Sequence, residues 1–477
     1  MGDFSDFSAW GLIFILITIF GSLLLGNVIK KSVPFMRNSL IPVSVIGGLT
    51  LLIIAEVYGA ITGKEFFNSA IFGGNGYAVL EIITYHSLAL GFIASTLRSS
   101  NNKITKRRVG EVFNAGVTTV STYLLQAIVG ITITVIATLF ITDFFPAAGA
   151  LLCFGFGQGT GQALNYGNIY QNMGLAGGRS FGLTIAALGF LSASIGGVIH
   201  LSVLKRKGKL PLNSKAQSRF NGQVEGENEI SMQGSIDKLT VQLALIIISY
   251  AIAYVFMYLL CLILKGENMR NTIYGFNFLL GVVGAVIVKT VLKFLRKKNI
   301  VKKQYTNNFL LTRTSNLFYD IMVVAGIAAI QLGLLEKYWG VIIILALAGL
   351  IVTYIYNRIV VKVLYKDYAE EQFMAMYGML TGTASTGVIL LREIDGEFKT
   401  PAADNLVYQT LPAIAFGFPM MILATFAPSN LPLTMVILVV YFIVMNLILF
   451  RNQIFRRKKK ACLEQPAVAV TEVKNEE

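Results

Sequence analysis

Long apolar runs constrain the fold of this chain more than any other feature. A helix that crosses the hydrocarbon core of a bilayer needs about 20 mostly apolar residues, and eleven runs of this kind are present, separated by polar stretches. They lie near 10–29, 40–62, 77–97, 112–141, 179–204, 238–264, 272–295, 309–335, 338–364, 405–427 and 431–450. The sequence therefore predicts an all-α polytopic membrane protein with about eleven transmembrane helices.

The composition supports a membrane protein and argues against other classes. Of the 477 residues, 55% are apolar and only 14% are charged, which is too little polar surface for a water-soluble protein of this size. The net charge of +15 comes from basic residues that flank apolar runs, so we expect no nucleic-acid partner. The three cysteines are scattered and predict neither disulfides nor a zinc site, and no cofactor is expected. Asp3 and Asp6 precede the first run, which predicts a retained span rather than a cleaved signal peptide.

Two further apolar stretches, near 144–165 and 371–391, are interrupted by glycine and small polar residues. Broken backbone is tolerated at membrane depth only where protein or a watery cavity satisfies its polar groups. The sequence therefore predicts two re-entrant hairpins, each entering and leaving the membrane on the same side.

The distribution of basic residues orients the chain. With both hairpins re-entrant, eleven spans place the N-terminus outside and the C-terminus in the cytoplasm. Only five of the 40 basic residues then face outwards, which is a strong positive-inside bias. These five are Lys64, Arg179, Lys265, Arg270 and Lys337. A hairpin that crossed fully would reverse every later loop and remove the bias.

The order of elements predicts an internal repeat. Four spans, a hairpin and a fifth span occupy 1–204, and the same series occupies 238–427 after a polar cytoplasmic linker at 205–237. An odd number of crossings per unit gives the two repeats opposite orientations, an architecture that recurs in secondary transporters. Residues 428–477 add a further transmembrane helix and a cytoplasmic tail. A faint echo links 85–91 (YHSLALG) with 319–325 (YDIMVVA).

The predicted hairpin tips carry the candidate substrate-binding residues. Glycine allows close approach of a ligand or a helix, and a helix N-terminus offers amide donors to an anion. The candidates at the tips are Gly157, Gln158, Gly159, Thr160, Gly161, Gln162, Thr383, Ser385 and Thr386. Glycines of this kind also serve close helix packing alone. Two such runs at corresponding places in the two halves favour a binding site.

Candidate ion-binding groups lie at the second tip and inside two spans. Thr381 and Gly382 offer oxygen ligands for sodium, and His86 and Asp320 are ionisable residues deep within spans, where charge is costly unless paired or hydrated. Arg392 follows the second hairpin. It fits either an inner-surface charge cluster or a two-pronged contact with a substrate carboxylate.

Three segments together resemble the bacterial sodium/glutamate symporter family. They are 41–48 (IPVSVIGG), 85–92 (YHSLALGF) and 155–161 (GFGQGTG), and the likeness covers about 20–450. The resemblance implies a plasma-membrane symporter of glutamate with sodium, built from two inverted five-span units. It also implies a homodimer whose transport domains slide against a fixed scaffold. Gln158 stands where the family has a histidine, and the second hairpin and the eleventh span also depart from its pattern.

Other functions remain open from the sequence. The leading hypothesis is sodium-coupled uptake of an acidic amino acid or related carboxylate. A sodium/proton antiporter or organic-acid exporter would use His86 and Asp320 as proton carriers. An ion channel is a third alternative. No HExxH, GxSxG or paired catalytic carboxylates occur, so an enzyme is not expected.

Overall fold

The computed structural model describes residues 7–98, 106–208, 236–264, 266–396, 399–451 and 453–454. Within these ranges the chain forms α-helices and short 3₁₀ turns, and no strand. The helices up to residue 208 are α1 (Phe7–Ser32), α2 (Pro34–Asn38), α3 (Val43–Thr62), α4 (Gly76–Leu97), α5 (Lys106–Ala137), α6 (Leu151–Gln158), α7 (Thr160–Asn172) and α8 (Gly178–Arg206). The later helices are α9 (Lys238–Ile263), α10 (Glu267–Gly275), α11 (Asn277–Lys297), α12 (Asn308–Ala328), α13 (Trp339–Leu364), α14 (Ala369–Leu380), α15 (Ala384–Arg392), α16 (Ala402–Tyr408), α17 (Thr410–Phe426) and α18 (Leu431–Leu449).

The prediction of an all-helical, multi-pass membrane protein is confirmed. Among the described residues, nine helices are long and apolar enough to cross a membrane: α1, α3, α4, α5, α8, α9, α11, α13 and α18. Large apolar side chains cover their outer faces, such as Leu24, Ile61 and Ile263, which are 71%, 78% and 75% exposed. A surface of this kind is stable against lipid rather than water.

The other two of the eleven predicted spans differ from simple apolar helices. The run at 309–335 forms α12, which ends at Ala328 and carries Arg313 and Asp320 within the helix. The run at 405–427 forms α16 and α17, which are bent by 51°. Pro412 lies in the first turn of α17 and has no N–H to continue a helix from α16.

Each predicted hairpin segment forms two helices, and each pair of helices extends beyond the predicted bounds. The first comprises a 3₁₀ turn at Pro146–Ala150 followed by α6 and α7, and the second comprises α14 and α15. Most of the predicted linker falls on 209–235 and most of the predicted tail on 455–477, and both lie outside the described residues.

Helix packing divides the described chain into two groups. The scaffold group consists of α1–α4 and α9–α12, and the hairpin group consists of α5–α8 and α13–α18. The same packing occurs twice within the scaffold group. Helix α1 packs on α3 in the way that α9 packs on α11, and α3 packs on α12 in the way that α11 packs on α4. Helices α4 and α12 then pack on each other. The two groups meet mainly where α7 and α8 touch α4, α10 and α12.

Close glycine contact holds the first hairpin against α5. A Cβ atom on Gly149 would lie 2.0 Å from the carbonyl oxygen of Gly130. The Thr134 hydroxyl beside them donates to the carbonyl of Pro146 over 2.6 Å and accepts from the Gly149 N–H over 3.1 Å. The start of the first hairpin is therefore anchored to the end of α5 by backbone contact, which leaves no space for a side chain.

We expect Gly149→Ala to destabilise the protein by at least about 1–3 kcal/mol, the usual cost of overpacking a tight interior. The measurement is thermal unfolding of the purified protein in detergent. Gly21→Ala in α1 is the matched control, because a Cβ atom on Gly21 would have nothing within 4 Å. Equal melting temperatures for the two variants would contradict the contact.

Candidate functional site

The first hairpin doubles back at a single glycine. Between α6 and α7, Gly159 adopts φ 80° and ψ −173°, a conformation that favours glycine strongly. On either side, the rings of Phe154 and Tyr166 stack with centroids 3.5 Å apart. At the foot, the rings of Phe145 and Tyr170 lie 5.5 Å apart. Both ends of this hairpin are therefore adjacent, and Gly159 is its tip.

The second hairpin has the same form. Helix α14 ends at Leu380, and α15 begins at Ala384. Gly378 and Gly387 allow the two helices to touch, because a Cβ atom on Gly378 would lie 2.8 Å from the Cα of Gly387. Residues 381–383 form the tip of this hairpin.

The two tips meet. A Cβ atom on Gly159 would lie 3.1 Å from Thr383 Cγ2 and 3.5 Å from the carbonyl oxygen of Gly382. These contacts bring together two sequence segments more than 200 residues apart. Both segments carry candidate substrate-binding residues, which were predicted from their glycine and hydroxyl residues.

Helix α8 shows how the hairpins are arranged. Near the N-terminal end of α8, its glycines contact the first hairpin. A Cβ atom on Gly182 would lie 2.3 Å from the carbonyl oxygen of Ala163. Gly189 approaches the carbonyl of Thr381 at the second tip, and Gly196 approaches Tyr377 further along. The hairpins therefore lie end to end along α8, with their tips level with its middle.

Several predicted residues cluster at this junction. The Thr160 hydroxyl is buried and donates to the carbonyl of Met322 over 3.3 Å. The hydroxyls of Thr383 and Thr386 lie 3.4 Å apart, and the Thr381 hydroxyl donates to the carbonyl of Tyr377 over 2.6 Å. Neighbouring helices also close on the tip glycines: Gly157 lies against the Tyr123 ring of α5, and Gly161 lies against Leu88 of α4.

Four helix ends converge on the tips and give them opposite partial charges. The N-termini of α7 and α15 carry partial positive charge, and the C-termini of α6 and α14 carry partial negative charge. Gln162, in the first turn of α7, is 1% exposed, and its Nε2 finds no acceptor in the part of the chain that the structure describes. An unused buried donor beside a helix N-terminus suits a carboxylate ligand.

Ligands for a transition metal are not gathered here. Among the described residues, no group of three or more His, Cys, Asp or Glu side chains is placed to hold a metal ion. The oxygen atoms at the tips are hydroxyls, amides and carbonyls, a set that suits a hard cation of low charge.

One functional candidate was missed from the sequence. Gln126 of α5 is fully buried and donates from Nε2 to Thr353 Oγ1 over 2.8 Å and to the carbonyl of Leu380 over 2.9 Å. It therefore joins α5 and α13 to the end of α14. The sequence signal for Gln126 is an amide side chain near the middle of an apolar span. It was missed because only ionisable residues within the spans were predicted to be functional.

His86 and Asp320 lie in the scaffold group and do not join the tip cluster. His86 is exposed, and its Nδ1 lies 2.7 Å from Tyr250 Oη of α9. Asp320 is half-buried and accepts a hydrogen bond from Ser44 at the start of α3. Helix α4 also meets the start of α11, through the bond from Asn277 Nδ2 to the Tyr85 carbonyl.

Three other predicted residues lie at the edge of the cluster or away from it. Gln158 and Ser385 are half-buried residues beside the tips. Arg392 is exposed at the last position of α15, and eight helical steps from Ala384 place its backbone about 12 Å from the tip. This position suits the charge-cluster interpretation of Arg392 better than substrate contact.

A second polar cluster lies at the foot of the second hairpin. Arg358 binds both carboxylate oxygens of Glu370 at 2.6 and 2.7 Å, and His200 Nε2 lies 3.0 Å from the same group. Burial acts to raise the pKa of Glu370, but the hydrogen bonds and charge of Arg358 outweigh it and hold that pKa below its ordinary value. These contacts attach α14 to α8 and α13. A cavity of about 490 Å³ beside them is lined partly by the exposed Lys362 and Lys366.

Comparison with known proteins adds no relative: no family model matches the chain, and no curated protein matches its sequence.

The meeting of the tips is testable by cross-linking. In a background with the native cysteines replaced, we expect Gly159→Cys with Thr383→Cys to form a disulfide on mild oxidation, because the Cβ position of Gly159 lies 3.1 Å from Thr383 Cγ2, which brings the two Cβ atoms near the separation found in disulfides. A protease site inserted within 209–235 makes the result readable, since only a cross-linked protein keeps its halves together on a denaturing gel.

The control pair for this experiment is Gly159→Cys with Arg392→Cys, which places the second thiol at the hairpin foot. Cross-linking of both pairs alike, or of neither, would count against the arrangement.

Proposed function

We propose that this protein is a secondary active transporter that carries glutamate, or a related acidic amino acid or carboxylate, together with sodium across the bacterial plasma membrane. The observation that carries the proposal is the contact of Gly159 with Gly382 and Thr383 at the junction of two broken helices. Broken helices whose ends face one another are a recurring means of binding an ion and an organic substrate together in transporters.

The hairpins are re-entrant in this proposal, and the two halves are inverted repeats. In support, the foot of the first hairpin lies near the N-terminal end of α8, where Gly167 contacts Gly178, and the foot of the second lies near its other end, where His200 contacts Glu370. Because α8 is long and apolar enough to span a bilayer, hairpins at its two ends enter the membrane from opposite sides. The reciprocal packing of the scaffold helices also fits two related halves.

The substrate carboxylate binds at the N-terminus of α7 in this proposal. Amide groups of the first helical turn have no partner within their own helix, and the buried Gln162 Nε2 adds a side-chain donor beside them. Sodium lies close by, on the C-terminal side of the tips. Opposite charges that share a site of low dielectric stabilise one another, which couples binding of the anion to binding of the cation.

Alternating access follows from the division into two groups. The hairpin group carries the site and meets the scaffold group mainly through α7 and α8, so an elevator-like displacement of one group against the other exposes the tips to each side in turn. Following the family resemblance, we propose a homodimer with its N-terminus outside and its C-terminus in the cytoplasm.

The main experiment is uptake of labelled glutamate into liposomes that contain the purified protein. We expect accumulation under an inward sodium gradient and none under an equal potassium gradient.

Gln162→Leu removes one hydrogen bond to a charged group, worth about 1.5–3 kcal/mol, and so raises the half-saturating substrate concentration roughly 10- to 100-fold.

The matched control is Gln171→Leu near the foot of the same helix, where the Oε1 atom accepts from the Arg179 N–H. This variant keeps the wild-type substrate affinity. Accumulation that needs no sodium gradient would refute the coupling, and a Gln162→Leu variant with unchanged affinity would refute the assigned anion site.

A sodium/proton antiporter or organic-acid exporter is the second candidate, and the carboxylate of Asp320 inside α12 is the observation that favours it. A channel lacks comparable support.

For symport at the tips, we expect Asp320→Asn to retain sodium-driven uptake within about threefold, because Asp320 faces Ser44 rather than the hairpins. A pH-sensitive dye inside the liposomes separates the alternatives. Sodium-driven proton movement that is lost in Asp320→Asn would instead establish the antiporter.

A further inference from the structure

Helices α5 and α13 share a reciprocal polar contact that the site described so far does not explain. Each helix carries a threonine followed four residues later by an amide: Thr122 and Gln126 on α5, and Thr353 and Asn357 on α13. Gln126 Nε2 donates to Thr353 Oγ1 over 2.8 Å, and Asn357 Nδ2 donates to Thr122 Oγ1 over 3.4 Å. We call these four residues the α5–α13 seam.

The seam is wholly inside the protein. All four side chains are 0% exposed, although both helices are long and apolar enough to cross a membrane. Four polar side chains in such helices are costly unless each polar atom has a partner. Hence the partners of every atom in the seam can be counted.

The amide donors of the seam are fully used, whereas the Thr353 hydroxyl finds no acceptor among the described residues. The amide hydrogens of Gln126 bind Thr353 Oγ1 and the Leu380 carbonyl, and those of Asn357 bind Thr122 Oγ1 and the Thr353 carbonyl. The Thr122 hydroxyl donates to the carbonyl of Thr118. No amide hydrogen of the seam remains available.

Two acceptors remain. Gln126 Oε1 and Asn357 Oδ1 are buried and find no donor among the residues that the structure describes. Exchanging the oxygen and nitrogen of Gln126 would turn its oxygen towards the Leu380 carbonyl, so the observed orientation is the favourable one. The seam thus has an excess of buried oxygen lone pairs.

The surroundings add to this negative potential. Leu380 is the last residue of α14, so the bond from Gln126 joins the seam to the partially negative end of a helix. The other end of the seam lies about one turn away along α5 and α13. Unused oxygen atoms beside a helix C-terminus attract a cation.

We propose that the α5–α13 seam binds a sodium ion through side-chain oxygens of Thr122, Gln126, Thr353 and Asn357. The inference rests on the proposed sodium-coupled transport and deepens it by naming the cation ligands. All four ligands are neutral oxygens, which suit a monovalent ion, whereas divalent ions in proteins are usually held by carboxylates. Thr381 and Gly382, assigned to the ion from sequence, lie at the adjacent tip.

The neutrality of the seam gives the coupling a physical cause. A bound sodium ion brings a full positive charge into a buried region, and the seam supplies no carboxylate to balance it. The anionic substrate at the neighbouring hairpin tips supplies the missing negative charge. Each ligand therefore increases the affinity for the other, by the same factor in both directions.

The test is thermal unfolding of the purified full-length protein, without substrate, across a sodium chloride titration balanced with choline chloride. We expect sodium to raise the melting temperature saturably, as a ligand of the folded state does, and potassium to raise it much less. Asn357→Leu removes one unused oxygen, and Thr353→Val removes one hydroxyl. Each should shift the half-maximal sodium concentration upward by at least about tenfold.

Two control variants separate lost binding from general destabilisation. Gln242→Leu removes a buried amide of the scaffold group whose oxygen and nitrogen are both hydrogen-bonded, and Thr84→Val removes a buried hydroxyl bonded to its own helix. Both lower the melting temperature in all salts but keep the wild-type sodium midpoint. Equal effects of sodium, potassium and choline, which would indicate water in the seam, overturn the proposal, as does a wild-type midpoint in both seam variants.

The outcome is distinct from that of the transport assay. A protein that responds to sodium through the seam but accumulates no glutamate upholds the cation site and rejects the proposed substrate. Sodium-driven uptake with unchanged sodium dependence in both seam variants upholds the transporter and rejects the seam.

Discussion

The structure depends on closing two broken helices inside an apolar bundle without leaving their backbones unsatisfied. Lipid supplies no hydrogen-bond partners, so protein must surround each break. Helix α8 does this through glycines that admit the first hairpin and the second tip to backbone distance. Gln126 does it from the other side by donating to the last carbonyl of α14. The positions of the hairpins follow from these contacts.

The same arrangement produces a polarised site from residues without formal charge. Two helix N-termini and two C-termini end at the junction of Gly159 with Thr383. A buried unused donor, Gln162 Nε2, lies on the positive side, whereas two unused acceptors lie in the seam near the negative end of α14. In the proposed function, an anion and a cation are therefore stabilised at adjacent positions. Such a site loses less by desolvation when both ligands are present, which is the physical basis of symport in the proposed function.

Much of the chain was predictable because its signals are local. Apolar length predicts membrane helices, and nine of the predicted runs are helices that meet that requirement. Glycine and hydroxyl residues predicted the breaks near Gly159 and Thr383, since backbone freedom is a property of those residues themselves. The bend between α16 and α17 was missed, because the average hydropathy of a run conceals a proline within it, and the end of α12 at Ala328 was also missed.

The sequence by itself determined which segments are apolar enough for a membrane and where a helix cannot continue, because both depend on composition over a few residues. Only the tertiary structure decided which breaks meet, that Gln126 and Asn357 form reciprocal bonds with Thr353 and Thr122, and that His86 and Asp320 lie in the scaffold group. Those pairings join residues up to hundreds of positions apart. They arise from how helices pack, which no local pattern in the chain specifies.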